Sequence, residues 1–169
     1  MSIQTQINKL FDQWKKVHEE KPGLFKVLNL KLERFLPDGI AGDENAYINA
    51  IPKVLYILKE SNAKNSEKVD FWFKEQVDKN GTHQTHQITK RIRFMQKMIT
   101  GSDDLSVIAY MNLNKCGDGS KTEMKKLAAY SLDDKISLLI KEQIHILNPD
   151  IIICGGCFNI VNTILGKET

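Results

Sequence analysis

The sequence predicts an α/β protein: a three-layer α/β/α sandwich with a short, mainly parallel central sheet, preceded by N-terminal helices. Two observations support this fold class. Three short apolar runs of strand length lie far apart along the chain, and stretches with a helical spacing of apolar residues separate them. Strands that alternate with helices in this way pair in parallel, and the connecting helices cover both faces of the sheet.

The first fifty residues are predicted to form a helical extension packed on this sandwich. In residues 3–20, apolar side chains recur at helical spacing among lysine, glutamine, aspartate and glutamate, and Pro22-Gly23 ends the helix. Residues 24–36 predict a second helix. Residues 40–52 have weak periodicity and predict a loop with at most a short helix.

Three apolar, β-prone runs predict the strands, which we place at residues 53–58, 105–113 and 150–154. Each run is long enough for a strand that is buried on both faces. The helices predicted between and after these strands cover residues 66–79, 87–100, 122–129, 133–147 and 158–165. A length of 169 residues suits one core, so we expect a single domain over residues 1–169.

The composition narrows the class of protein. With 41% hydrophobic and 27% charged residues, the chain is typical of globular proteins. No apolar run approaches the roughly 20 residues that span a bilayer, and no signal peptide is visible, so we expect a cytoplasmic protein without a membrane partner. A net charge of +3 permits DNA binding without requiring it. The three cysteines, an odd number, argue against a disulfide framework.

Polar side chains follow the first two predicted strands at the points where they end. Glu60 comes directly after the first strand, where a carboxylate can orient water or act as a general base, or can simply be a solvated loop acid. Asn112 ends the second strand, and its amide matches the paired N–H and C=O of a pyrimidine edge. Hydrogen bonds within a turn are the alternative role for that amide. Ligands of open α/β sheets bind beyond these strand ends.

Aromatic and basic residues add two further candidates. Phe71 and Phe73 lie just past the first strand end, where one of them can stack on a flipped base or pack in the core. Lys90, Arg93 and Lys97 share one face of the helix predicted over residues 87–100. This basic stripe can contact phosphates, or it can be an ordinary solvated face.

Three segments together resemble the uracil-DNA glycosylase superfamily, in particular its iron–sulfur type. In residues 109–116, an apolar strand ends in Asn112 and is followed by two residues and then Lys-Cys. In residues 139–156, a helix with a Leu-x-x-x-Gln-Ile pattern runs through a Pro-Asp turn into an apolar strand and glycine. Residues 59–62 occupy the place of the family's first motif, Gly-Glu-Ala-Pro-Gly. The resemblance covers about residues 53–165.

This resemblance implies hydrolysis of the N-glycosidic bond of uracil, or of a related damaged base, in DNA during base excision repair. Glu60 would help to position the attacking water, Asn112 would read the base, and an aromatic ring would stack on it. DNA is the expected partner. The candidate residues are Glu60 and Asn62 for catalysis, Asn112, Phe71, Phe73, Lys115 and Gly155 for the substrate, and Lys90, Arg93, Lys97 and Lys121 for DNA.

The chain also departs from the family pattern. No cysteine precedes Cys116, so we expect no iron–sulfur cluster and no other cofactor. Lys59 and Asn62 stand where the first motif has Gly and Pro. No histidine follows His145, so the family's late His-Pro motif and the C-terminal part of its fold are expected to be missing. The alternative function is therefore a catalytically inactive glycosylase fold that binds nucleic acid or a protein.

Two other patterns suggest different chemistry. Cys154-Gly155-Gly156-Cys157 has the C-x-x-C form at a strand-to-helix junction, which suits a thiol oxidoreductase or an inert pair beside a tight turn. In thioredoxin-like folds this motif follows an early strand, whereas here it follows the last. His83 and His86 are three residues apart, but no cysteine or carboxylate nearby completes a ligand set, so we expect no metal.

Overall fold

The computed structural model describes residues 1–24, 35–60, 87–116 and 122–166. Four strands form the sheet: β1 (Gly39–Ile40), β2 (Val54–Glu60), β3 (Ala109–Asn114) and β4 (Ile151–Cys154). The helices are α1 (Ile3–Glu20), α2 (Glu44–Ile48), α3 (Gln87–Thr100), α4 (Met124–Ser131), α5 (Asp134–Leu147) and α6 (Phe158–Leu165).

The sheet has the strand order β1-β3-β2-β4. The central strand β2 is parallel to both of its neighbours, with Leu55 opposite Ala109 on one side and Ile152 on the other. The short strand β1 pairs antiparallel with β3. The predicted α/β fold with a short, mainly parallel sheet is confirmed.

Side chains of the central strands alternate between two apolar layers, as the two-residue period of a strand requires. Leu55 and Ile57 face one layer together with α1, α4, α5 and α6. Tyr56 faces the other layer, where it packs with Tyr110 and with Ile92 of α3. Helices therefore cover both faces of the sheet, as the sequence predicts.

The observed bounds of the helices agree with the predicted bounds more closely than those of the strands do. The strand expected over residues 105–113 begins only at Ala109. Leu105 and Ile108 are nevertheless buried, because they pack in the second layer, and the carbonyl oxygen of Ile108 accepts from the backbone N–H of Ala41 over 2.9 Å. Strand β1 was not predicted, since two residues are too few for a periodic signal. The helices expected over residues 24–36 and 66–79 fall mainly or wholly outside the described residues.

The N-terminal helix α1 is part of the main core. Trp14 and three apolar residues one to two turns before it pack into the first layer. Glu44 of α2 caps the start of α1, since its carboxylate accepts hydrogen bonds from the backbone N–H groups of Ile3 (2.8 Å) and Gln4 (3.1 Å). A carboxylate at a helix N-terminus satisfies orphan donors and complements the helix dipole. None of the helices within the described ranges could cross a membrane.

A buried polar chain fixes the C-terminal half of α1. The indole N–H of Trp14 donates to the hydroxyl of Tyr130 (2.8 Å), which lies 2.9 Å from Nε2 of His18. Nδ1 of His18 lies 3.7 Å from the sulfur of Cys116. Burial lowers the pKa of His18 to about 4, so the ring is neutral near pH 7.

His18 should make the stability of the protein depend on pH. The folded pKa is lower than the unfolded one, so the unfolded chain binds the proton more tightly, and the stability is lost as the pH falls from 6.5 towards 4. The shift corresponds to a loss of up to about 3 kcal/mol in the free energy of unfolding. Urea denaturation of the wild type and His18→Gln across this range measures it.

The His18→Gln variant should lose less stability than the wild type over that interval, because glutamine does not titrate there. His145→Gln, which replaces an exposed histidine, serves as the matched control and should follow the wild-type profile. Parallel pH profiles for the wild type and His18→Gln would contradict the assignment.

Candidate functional site

The carboxyl ends of β2 and β3 are the natural binding edge of this sheet. The connection between these two strands passes through α3 on one face, whereas the chain after β3 continues into α4 and α5 on the other face. In open α/β sheets, a ligand binds in the crevice where neighbouring strands send their connections to opposite sides. Glu60 and Asn114 end the two strands and are partners in register.

Glu60 is held by this neighbour. The side-chain nitrogen of Asn114 donates to Oε2 of Glu60 over 3.2 Å. The side-chain oxygen of Asn114, Oδ1, accepts from the backbone N–H of Cys116 over 2.9 Å. Sequence reasoning named Glu60 but did not include Asn114 among the site residues. The available signal was its position two residues after Asn112, on the same face of the strand.

Asn112 is 3% exposed, and three of its groups are hydrogen-bonded. Its side-chain oxygen accepts from the Tyr110 hydroxyl (3.1 Å), its backbone N–H donates to Oδ2 of Asp38 (2.7 Å), and its carbonyl oxygen accepts from Nζ of Lys115 (2.8 Å). Burial raises the pKa of Tyr110, so its hydroxyl keeps the proton that it donates. The amide is therefore held in one orientation.

The residue that organises this edge is Asp38, which is not among the site residues that the sequence indicates. It is 3% exposed and accepts from Lys115 Nζ at 2.8 and 2.6 Å, from Gln143 Nε2 at 2.7 Å and from the backbone of Asn112. An aspartate before glycine is common in turns, so the sequence carries no signal that this carboxylate is buried.

Lys115 lies in the interior, which differs from the substrate contact that the sequence suggested. Its side chain is 0% exposed, and its ammonium group donates to Asp38 and to the carbonyl oxygen of Asn112. The ammonium also lies 4.8 Å from the centre of the Trp14 ring, within reach of a cation–π interaction. Burial lowers the pKa of Lys115, and the charge of Asp38 opposes that effect. Lys115 therefore stabilises the end of β3 from the interior of the protein.

Gly155 lies at the end of β4. Its backbone N–H donates to the carbonyl oxygen of Ile57 over 2.8 Å, which extends the pairing of β4 with β2. A Cβ on Gly155 would lie 2.2 Å from Cδ2 of Leu58, so the missing side chain allows close packing on β2. This contact explains the glycine without a ligand.

The predicted basic stripe lies on α3. Lys90 and Lys97 are exposed, and Arg93 is half-buried, with its guanidinium donating to the carbonyl oxygen of Asp103 over 3.2 Å. Helix α3 covers the same face of the sheet to which Tyr56 and Tyr110 point. The two lysines are thus available to a ligand that approaches this face.

The remaining predicted residues fall outside the described part of the chain: Asn62, Phe71, Phe73, Lys121, His83 and His86. Within the described ranges, no three metal-ligating side chains come together. What the structure does bring together is Glu60, Asn112 and Asn114, on one face at the ends of two neighbouring strands. An acid next to amides can orient a water molecule and read a planar polar ligand.

The buried ion pair yields a test of what holds this edge. Lys115→Met leaves the carboxylate of Asp38 buried without a counter-charge, and we expect it to lower the free energy of unfolding by about 3–5 kcal/mol. Asp38→Asn combined with Lys115→Met removes both charges, so the double variant should be more stable than the sum of the single changes implies, by at least about 1 kcal/mol. Urea denaturation measures the cycle.

Asp12→Asn provides the comparison, because it removes an exposed ion pair with Lys15 (3.9 Å). It should change the stability by less than about 0.5 kcal/mol. Strictly additive effects of the Asp38 and Lys115 substitutions would show that the two charges do not depend on each other.

No model of a known protein family matches this chain, and neither a curated protein nor a solved structure matches it. The resemblance to uracil-DNA glycosylases therefore depends on three sequence segments and on the chemistry of the strand ends.

Proposed function

We propose that this chain is a uracil-DNA glycosylase-like protein that hydrolyses the N-glycosidic bond of uracil, or of a related damaged base, in DNA. The observation that carries the proposal is the position of Glu60 and Asn112 on one face at adjacent strand ends, with Asn114 hydrogen-bonded to Glu60, where open α/β sheets bind ligands. The described residues of the three segments that resemble the family include Glu60, Asn112 and Gly155, which lie at the carboxyl ends of β2, β3 and β4.

Asn112 has the chemistry to read a pyrimidine. A carbonyl oxygen has two lone pairs, and Tyr110 uses one of them, so the other can accept from N3–H of uracil while the amide nitrogen donates to a ring carbonyl. Because Asn112 is almost fully buried, a base that reaches it leaves the solvent, where hydrogen bonds discriminate most strongly. Such a base must first be flipped out of the helical stack.

Glu60 would direct the attacking water. Asn114 occupies one carboxylate oxygen, Oε2, which leaves Oε1 to accept a hydrogen bond from water. The water oxygen forms a bond with C1′ and gives its proton to the carboxylate as the bond between C1′ and the base breaks. The bonding electron pair leaves with the base, and the amide of Asn112 stabilises the negative charge on the base carbonyl.

The basic stripe on α3 fits a DNA partner. Lys90 and Lys97 lie about two turns apart on an exposed face, and this helix covers the sheet face on which the site lies. Phosphate contacts by lysine give orientation and affinity without sequence preference. That is what an enzyme needs when it searches duplex DNA for a single altered base.

Substitutions at the strand ends test the chemistry. We expect Asn112→Ala to reduce the rate of base release at least about 100-fold, since it removes a donor to the developing anion. Glu60→Gln should reduce it by a similar factor of about 100 or more, because the amide cannot take the proton. The assay uses labelled uracil-containing oligonucleotides, single- and double-stranded, followed by alkaline strand cleavage.

Glu142→Gln and Asn159→Ala, both on exposed helix surfaces, are the matched controls and should leave the rate unchanged. The unfolding free energy of each variant shows whether it is folded. Cleavage that persists in Asn112→Ala points to a contaminating enzyme and counts against the proposal. Uracil-dependent binding without cleavage would instead support the catalytically inactive binding module.

The stripe is tested separately through the salt dependence of binding. For duplex DNA, log K falls as log salt rises, and each lost phosphate contact makes this slope shallower by about 0.9. Lys90→Ala with Lys97→Ala should therefore reduce the magnitude of the slope by roughly 1.8. Fluorescence anisotropy with a labelled duplex measures the slope. Lys9→Ala with Lys16→Ala, on the exposed side of α1 over the opposite face, should leave the slope unchanged.

If the α1 double variant lowers the slope as much as the α3 double variant does, DNA contacts the chain without preference for the α3 stripe. That result would remove the stripe from the site and leave the roles of Glu60 and Asn112 to the cleavage assay.

A further inference from the structure

Two cysteines lie at the end of β4, on the other side of β2 from Asn114. Cys154 is the last residue of β4, and Cys157 is the N-cap residue of α6. Cys154 is the register partner of Ile57, and the thiol of Cys157 donates to the carbonyl oxygen of that same residue over 3.3 Å. Both cysteines are therefore positioned against one residue of the central strand.

The two thiols also differ in access to solvent. Cys157 is 2% exposed, whereas Cys154 is half-buried, and both are free. An accessible thiol followed by a buried one, at the start of a helix, is the arrangement in which the first attacks and the second resolves.

The turn between the cysteines brings them close together. Gly156 has φ +77°, which an L side chain rarely adopts, so glycine is needed to make the turn. A Cβ on Gly156 would lie 3.0 Å from Cε and 3.4 Å from Nζ of Lys59, so a positive charge lies directly beside the turn. This cation favours the thiolate of Cys157.

We propose that Cys154 and Cys157 form a reversible dithiol–disulfide pair that exchanges with low-molecular-weight disulfides of the glutathione type. This inference does not depend on the glycosylase proposal. It assigns the accessible thiol of Cys154 as the group that attacks, and the buried thiol of Cys157 as the group that closes the bond.

The exchange balances in two steps. The thiolate of Cys154 attacks one sulfur of the external disulfide, and the other sulfur leaves as a thiolate, which gives a mixed disulfide on Cys154. Cys157 then loses its proton and attacks the sulfur of Cys154, which releases the second external thiolate. Two electrons pass from the two cysteines to the external disulfide, which becomes two thiols.

The pKa directions of the two thiols agree with this order. The neighbouring thiol of Cys157 lowers the pKa of Cys154, whereas Cys154 and burial together raise the pKa of Cys157. Burial alone raises the pKa of the third thiol, Cys116, to about 12. Cys116 is therefore an internal reference for an unreactive cysteine.

The full chain is equilibrated in buffers of increasing oxidised-to-reduced glutathione ratio and quenched with acid. It is then unfolded in guanidinium chloride with excess iodoacetamide at neutral pH, so that every free thiol is alkylated, and its mass is measured by mass spectrometry. We expect a species that has lost the two thiol hydrogens and takes the alkyl group on one cysteine only, Cys116. In the reduced protein at pH 7, Cys154 should be alkylated at least about ten times faster than Cys116.

Single variants separate the two steps. Cys157→Ser should accumulate a glutathione mixed disulfide on Cys154, because the resolving thiol is missing, whereas Cys154→Ser should accumulate none on the buried Cys157. Cys116→Ala should still form the internal bond. Circular dichroism confirms that each variant is folded, and the wild-type measurement stands without the variants.

The proposal is overturned if the folded wild type keeps three free thiols at the most oxidising ratio, or if the bond that forms includes Cys116. It is also overturned if Cys154 and Cys116 are alkylated at the same rate. These outcomes are read from intact mass and peptide mapping, so they do not depend on whether the chain cleaves uracil-containing DNA.

Discussion

The ion pair between Asp38 and Lys115 lies at the centre of this structure. Both side chains are almost fully excluded from water, which costs several kcal/mol per charge unless each group is paired and hydrogen-bonded. Asp38 meets that condition with four hydrogen bonds from three residues, and Lys115 with its bonds to Asp38 and to Asn112. The pair therefore joins the segment before β1, the end of β3 and the core face of α5.

The ion pair also fixes the candidate site, because both of its members are hydrogen-bonded to Asn112. Its backbone N–H and carbonyl are both held by the ion pair, and its side-chain oxygen is held by Tyr110, so the amide has little freedom to turn. A site built from groups that are already oriented needs little reorganisation when charge develops on a ligand. Lys115 and Gln143 both donate to Asp38 and so support the site from the interior.

The central strand β2 relates the two chemical sites to each other. Its last residue, Glu60, faces β3 through Asn114, and three residues earlier Ile57 faces the thiols of β4 and α6. Both sites lie at the carboxyl end of one rigid strand and share no residue. The hydrolytic and the thiol chemistry proposed for this edge are consequently separable by substitution.

Much of the secondary structure was determined by local sequence. The periodicity of apolar residues set the bounds of α1, α3 and α6, because contacts within a helix join residues three and four positions apart. Ligands of open α/β sheets bind beyond the carboxyl ends of the strands, so the apolar runs also indicated Glu60 and Asn112. Tertiary structure alone decided that Asp38 is buried, that Lys115 points inward and that two thiols meet at Ile57. The bonds that Asp38 makes span 74 to 105 residues, and the partners of an isolated turn residue at such separations leave no pattern in the chain itself.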